Sequence, residues 1–213
     1  MSAVARTVVV PGARWPRWWG NFAASHGPTR LGVVDGALRG DADDGAWFVA
    51  HLPLGAAYDG PATPDAVAGA LPAAAAAALP ADWGVLLVRR GGFAVARLAG
   101  ETVTATKTGS RHVQGRTAAG GQSQQRFARR RAGQARVAFE AAAEVAARLL
   151  DGLGPVARGG DREAVEAVLA DPRLRRLEPR GPWLEVAEPR RVVLDAAVDD
   201  ARALRVEVAN APR

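Results

Sequence analysis

Cysteine is absent from the 213 residues. That removes disulfides, thiolate metal sites and thiol nucleophiles together, and it fits a cytoplasmic setting. Histidine is scarce: His26, His51 and His112 are the only three. They show no metal-ligand spacing and no HExxH pattern, so a zinc hydrolase is not expected. Lysine occurs once, at Lys107, and no GxxxxGK[ST] phosphate loop exists. No GxSxG elbow is present for a serine hydrolase. No apolar run reaches the ~18 residues that span a bilayer. The start, "MSAVARTVVVPGARW", lacks an apolar segment followed by a small-residue cleavage site, so no signal peptide is expected. The carboxylates fall in turns and on helix faces without an evident catalytic pair. Neither a metal nor a cofactor is expected, and a self-contained hydrolytic centre has no visible parts.

What is there suits one globular domain over 1–213, with 48% hydrophobic and 23% charged residues. The net charge is +6, and 27 of the 28 basic residues are arginine. With so much Ala, Gly and Pro, this is the bias of a GC-rich coding sequence, so placement matters more than total. Between Glu101 and Glu140 there is no acidic residue at all. The same stretch holds eight basic ones: Lys107, Arg111, Arg116, Arg126, Arg129, Arg130, Arg131 and Arg136. Elsewhere 20 basic residues face 22 acidic ones. One segment therefore carries the whole positive excess, as a surface for a phosphate backbone would.

Periodicity places the elements. "RTVVVP" reads as a short buried strand. Trp15, Trp18, Trp19, Phe22 and Ala23 fall at i, i+3, i+4, i+7 and i+8, one face of a helix stopped by Gly27. That spacing is a core stripe; a stacking platform for bases is the alternative. "RLGVVDGALRG" and "GAWFVAHLPL" read as two strands joined by the acidic turn "DADDG". Asp41, Asp43 and Asp44 there are expected to be a solvated turn rather than a metal site. "PDAVAGALPAAAAAALP" reads as a helix kinked or broken at Pro72. "WGVLLVRR", "FAVARLAG" and "TVTATKTG" read as a meander with Gly91-Gly92 as a hairpin turn. A long helix is expected from about Ser123 to Leu150, then a short one opened by Asp161. "PWLEVAEP" reads as a strand, "RRVVLDAAVDDARAL" as a helix and "RVEVAN" as a last strand. Alternating strands and helices with hairpins make an α/β fold with a mixed sheet and flanking helices.

The most unusual stretch is "TAAGGQSQQRFARRR", residues 117–131. The chain's five glutamines, Gln114, Gln122, Gln124, Gln125 and Gln134, all lie within 21 residues. Gly120 and Gly121 have no Cβ and allow very close backbone approach to another surface. They precede a helix start, whose free N–H groups favour a phosphate or an oxyanion. A glutamine amide is no general base near neutral pH, but it can position a water. Its backbone N–H can stabilise a developing oxyanion, an effect of about 3 kcal/mol on a barrier. Arg126, Arg129, Arg130 and Arg131 fan out at about 100° each on a helix, so they can meet phosphates on several sides. The bland alternative is a Gly-rich loop leading into a polar helix. The coincidence of GGQ, clustered glutamines and acid-free basic flanks favours RNA.

The segment "KTGSRHVQGRTAAGGQSQQRFARRRAGQ" resembles the catalytic segment of the Vms-like release-factor domains, in their actinobacterial branch. That family is related to the GGQ-bearing domain of the eukaryotic and archaeal class I peptide release factors. "GDREAVEAVLADPRL", "PWLEV" and "RRVVLDAAVDDA" extend the resemblance over most of the chain. It implies a ribonuclease-H-like α/β core bearing a mobile catalytic loop, about residues 107–125. It implies a peptidyl-tRNA hydrolase that frees nascent chains on stalled or split large (50S) ribosomal subunits, completed by ribosomal RNA and peptidyl-tRNA. Gly120, Gly121 and Gln122 or Gln124 would then be catalytic: both "GGQ" and the looser Gly-x-x-Gln spacing fit. Arg111, His112, Arg116, Gln125, Arg126 and Arg129 to Arg131 would contact RNA, with no role for DNA or membrane. The eukaryotic relatives carry a zinc finger and ankyrin repeats; this chain has neither. Some relatives cut the tRNA near its CCA end, so that outcome stays open beside ester hydrolysis and non-catalytic RNA binding. A nuclease using the acidic turn is a third reading.

Overall fold

A computed structural model of the protein describes residues 4–110 and 122–211; the side chains of 122–132, 134 and 135 are outside the description. Where the sequence reading takes 1–213 as one domain, the chain forms two compact units. Unit 1 comprises Met1–Pro80 and Asp199–Arg213, and unit 2 comprises Ala81–Val198.

Unit 1 holds β1 (Arg6–Val10), α1 (Trp15–His26), β2 (Thr29–Val34), β3 (Ala37–Ala42), β4 (Trp47–His51), α2 (Pro64–Ala77) and β10 (Leu204–Ala209). Its sheet runs β1-β10-β4-β3-β2, every pair antiparallel. The tryptophan stripe is core, as its spacing predicts: Trp15, Trp19 and Phe22 are buried on α1 and pack with Phe48, Val67, Leu71 and Val206. Trp15 also donates its indole N–H to the Val67 carbonyl at 3.0 Å. Trp18 is only partly buried. Gly27 ends α1, donating its N–H back to Ala23.

One expectation needs correction here, and another is narrowed. "RLGVVDGALRG" is not one strand but the β2–β3 hairpin, turning at Asp35 and Gly36. Both have positive φ, 49° and 72°, as the tight primed turn between twisted strands requires. Of the two alternatives at Pro72, the break is excluded: helix α2 runs continuously through it.

Unit 2 holds β5 (Trp83–Arg89), β6 (Gly92–Ala99), β7 (Thr102–Ser110), α3 (Gln122–Leu149), β8 (Pro155–Gly160), α4 (Arg162–Leu169), β9 (Glu178–Pro179) and most of α5 (Arg191–Ala201). Its sheet runs β7-β6-β5-β8-β9. The meander β5-β6-β7 is antiparallel, while β8 lies parallel to β5 and β9 parallel to β8. Numbered within the unit, the order is 3-2-1-4-5 with only the second strand reversed. That is the ribonuclease-H-like arrangement implied by the resemblance. The β5–β6 turn sits one residue earlier than expected, at Arg90-Gly91, because Arg89 pairs with Gly92. "PWLEVAEP" is not a strand; only Leu184 bridges, to Gly159. Strand β8 is absent from the sequence reading altogether.

The core of unit 2 lies between its sheet and helices. Leu86, Val88, Phe93 and Val95 of the sheet pack with Ala142, Ala143 and Ala146 of α3 and Val165 and Val168 of α4. Small alanine side chains on the inner face let α3 lie close over the strands.

Candidate RNA-contacting site at the β7–α3 junction

Strand β7 pairs with β6 up to Ser110, opposite Gly92. Helix α3 opens at Gln122, within a residue of the expected start. Residues 111–121 join the two. Arg111, His112, Arg116, Gly120 and Gly121 lie in this join, outside the described residues. Lys107 is on β7 and exposed, so the strand reaches into the segment expected as loop. Gln122, Gln124, Gln125, Arg126, Arg129, Arg130 and Arg131 all lie on the first turns of α3, with side chains outside the description.

The helical backbone separates two groups of positions. At 100° per residue, 122 and 124 lie about 200° apart around α3. Positions 122, 126 and 129 follow at i, i+4 and i+7 and share a face. Positions 124 and 131 fall in line with the buried Ala138 and Ala142, whereas 122 and 129 fall opposite them. One surface therefore cannot meet both glutamine positions equally. The first-turn N–H groups of α3 have no partner within the helix, and they lie beside the Gly-Gly pair in the chain.

The base of this helix is held by a residue that sequence reasoning passed over. Arg97 on β6 donates Nη1 to the carbonyls of Leu149 and Asp151, each at 3.2 Å, at the C-terminal end of α3. Its Nε donates to Asp82 at 3.0 Å, and its Nη2 pairs with the same carboxylate. A cation at a helix C-terminus also meets the negative end of the helix dipole. The signal was an arginine inside the apolar run "FAVARLAG". Strand β7 is braced too: Arg191 of α5 donates to Thr106 Oγ1 at 3.0 Å and to Asp195 at 2.8 Å. At the far end of β8, Trp183 donates its indole N–H to Gly160, and the Arg162 guanidinium lies 4.4 Å over its ring.

The acidic turn belongs to the antiparallel sheet of unit 1, not to the ribonuclease-H-like sheet. Asp41 takes a two-pronged bond from Arg39, at 2.7 and 2.8 Å, which holds its carboxyl below the usual range. Asp44 accepts from the Ala46 N–H at 2.8 Å and from His26 Nδ1 at 2.8 Å, and these lower its carboxyl likewise. Among the described residues no three His, Asp or Glu side chains gather as a metal site. The acidic turn therefore offers the nuclease reading no three-ligand metal site among these residues. Among the same residues no helix is long and apolar enough to cross a membrane.

A family model described as Actinobacteria/chloroflexi VLRF1 release factor matches residues 81–207, more than half of the chain. The match takes in all of unit 2 and with it the β7–α3 junction. No curated protein matches the chain.

Proposed function

The chain belongs to the Actinobacteria/chloroflexi VLRF1 release factor family, and from that premise we propose that it releases nascent chains from peptidyl-tRNA on stalled or split large ribosomal subunits. The single observation that carries this is the position of "GGQ". It falls where a sheet-edge strand hands over to the N-terminus of a long helix, inside the family-matched span.

Gly120 and Gly121 give the backbone clearance at the peptidyl-tRNA end. Gln122 or Gln124 positions the water that attacks the ester carbonyl, and a backbone N–H stabilises the oxyanion that forms. The helix N-terminus adds a positive field at the same place. Arg111, Arg116, Arg126 and Arg129 to Arg131, with His112 and Gln125, hold ribosomal RNA and tRNA phosphates, an attraction that weakens as salt rises. The ribosomal RNA and the tRNA terminal ribose complete a centre for which the chain supplies no acid–base pair.

The test uses purified 50S–peptidyl-tRNA complexes. Wild type should release peptide, and Gln122→Ala/Gln124→Ala should lose about two to three orders of magnitude in rate, the scale of an oxyanion-hole or water-positioning deletion. Equal release by wild type and the double variant overturns the assignment. Peptide leaving with CCA attached identifies tRNA cleavage instead. Salt-sensitive binding with no release by either protein identifies a non-catalytic binding module.

A further inference from the structure

The two sheets leave four strands at their edges, β1 and β2 in unit 1 and β7 and β9 in unit 2. A bare edge is a template for another strand, and folds guard it with charge, proline, bulges or brevity. Strand β7 leaves Thr104 unpaired as a bulge and bears the chain's one lysine, Lys107. Strand β9 is two residues long and ends in Pro179. Strand β1 has five residues and runs into Pro11. Strand β2 has six residues in unbroken register with β3, without proline or bulge. Its one charged residue, Arg30, stands opposite Asp41 of β3. Val33 and Val34 of β2 are 41% and 49% exposed. They are the only sequence neighbours among the exposed large apolar residues described.

The phase of the ladder fixes which backbone groups of β2 face outward. A two-residue turn closes on a hydrogen-bonded pair, here Val34 and Ala37. Such pairs alternate along an antiparallel ladder, so Gly32 and Arg30 also turn their N–H and C=O groups to β3. The Pro28 carbonyl continues the series, accepting from the Asp43 N–H at 3.1 Å. Leu31 and Val33 therefore turn theirs to the free edge. Their side chains lie on the core face of the sheet: Val33 stands opposite the buried Leu38, and Leu31 packs against the core of unit 1.

We infer that β2 pairs antiparallel with β2 of a second copy of this chain, about a two-fold axis at Gly32. An axis perpendicular to the sheet keeps the two core faces on one side. The outward groups of Leu31 then meet those of Val33 in the second copy, and the reverse, each pair exchanging both of its bonds. The same two pairs set Leu31 against Val33 side by side, apolar on apolar. The aliphatic stem of Arg30 covers Val34 of the second copy. The two Arg30 residues lie four positions apart, about 13 Å, so like charges do not face each other. Gly32 meets Gly32 at a non-hydrogen-bonded site, where Cα atoms approach to about 4.5 Å. An axis at Leu31 would set Val34 against Pro28, and one at Val33 would set Leu31 against Asp35, so the side chains select Gly32. Strand β2 lies outside 81–207, and the pairing does not rest on the release reading.

A six-residue edge makes a small contact, so the dimer is weak, with a dissociation constant on the order of 10–100 µM. Sedimentation velocity of the full chain from about 1 to 300 µM should show the mass rising from one chain toward two. Val33→Lys puts a charge beside Leu31 of the second copy and should weaken the dimer about tenfold or more. Val34→Glu faces Arg30 of the second copy; it should tighten the dimer about threefold and lose that gain in roughly 0.5 M salt. The chain has no cysteine, and a Cβ added at Gly32 meets nothing within 4 Å. Oxidised Gly32→Cys should therefore cross-link as a dimer, and Arg30→Cys should not. Circular dichroism checks that each variant is folded, and the Val34→Glu and cysteine arms stand if Val33→Lys is not. A mass that never rises overturns the proposal and leaves the edge to a strand of another protein. A dimer indifferent to Val33→Lys and Val34→Glu, or equal cross-linking of the two cysteine variants, overturns it as well.

Discussion

Arg97 is the place to test whether the base of α3 is held by hydrogen bonds or by charge pairing. Replacing it with Met keeps much of the aliphatic packing and removes all the donors. Two bonds from a charged donor to helix-end carbonyls are lost. Each would contribute about 1.5–3 kcal/mol if buried and short. At 3.2 Å, with the side chain 31% exposed, about 1 kcal/mol each is the better figure. The pair with Asp82, itself 45% exposed, adds about 0.5 kcal/mol. The total is about 2.5 kcal/mol. With a urea slope of about 2 kcal/mol/M, the midpoint should fall by roughly 1 M. Asp82→Asn removes the ion pair but leaves the carbonyl bonds, so it should cost only about 0.5 kcal/mol. Urea unfolding followed at the helical circular-dichroism band measures both. If Arg97→Met costs no more than Asp82→Asn, the carbonyl bonds hold nothing and the reasoning fails.

Two other outcomes follow from local chemistry. Gly133 is exposed within α3, and a Cβ added there meets nothing within 4 Å, so Gly133→Ala should stabilise the helix by about 0.5–1 kcal/mol; a lowered thermal midpoint would contradict it. Asp171 bonds the Arg173 side chain and its backbone N–H, which lower its carboxyl to about 2. A lowered folded-state value contributes stability that is full above the ordinary carboxylate value of 3.8 and lost as pH falls through about 2. The melting advantage of wild type over Asp171→Asn should therefore hold at pH 5 and vanish near pH 2; an advantage independent of pH would refute the assignment.

Much of unit 2 was legible because its signals are local. The apolar runs of β5 and β6, the helical period from Ala138 to Leu149 and the N-cap Asp161 each declare one element. What was missed depends on partners distant in sequence. Strand β8 begins with Pro155 and ends in Gly159-Gly160, a loop-like composition. Yet it lies buried beside β5, and a Cβ on Gly159 would stand 2.2 Å from the Leu184 carbonyl oxygen. Glycine there answers a crossing chain, not a turn. "PWLEVAEP" erred the other way, its apolar pattern serving one bridge and a packed Trp183. The Asp35-Gly36 hairpin was readable in "VVDGAL" but hidden by the apolar residues on both sides. The candidate site was legible through composition alone, since clustered glutamines and missing acids need no fold to be seen. Its anchorage through Arg97 and Arg191 was not, because those bonds span 52 and 85 residues.

Helix α3 can finally be considered as a lever. Ala138 is the first buried residue among those of α3 whose side chains are described. From Ala138 to Leu149 the helix is seated over about 17 Å, and from Ala138 back to Gln122 it extends about 24 Å. The stretch before Ala138 is the longer of the two, so a tilt about Ala138 moves Gln122 about 1.4 times as far as it moves Leu149. A tilt of 5° at Ala138 would displace Gln122 by about 2 Å; for a catalytic group, the role proposed for Gln122, misplacement by about 1 Å can cost a hundredfold in rate. Substitutions beneath Ala142 or Ala146, far from any RNA, would then act as aiming errors at the glutamines.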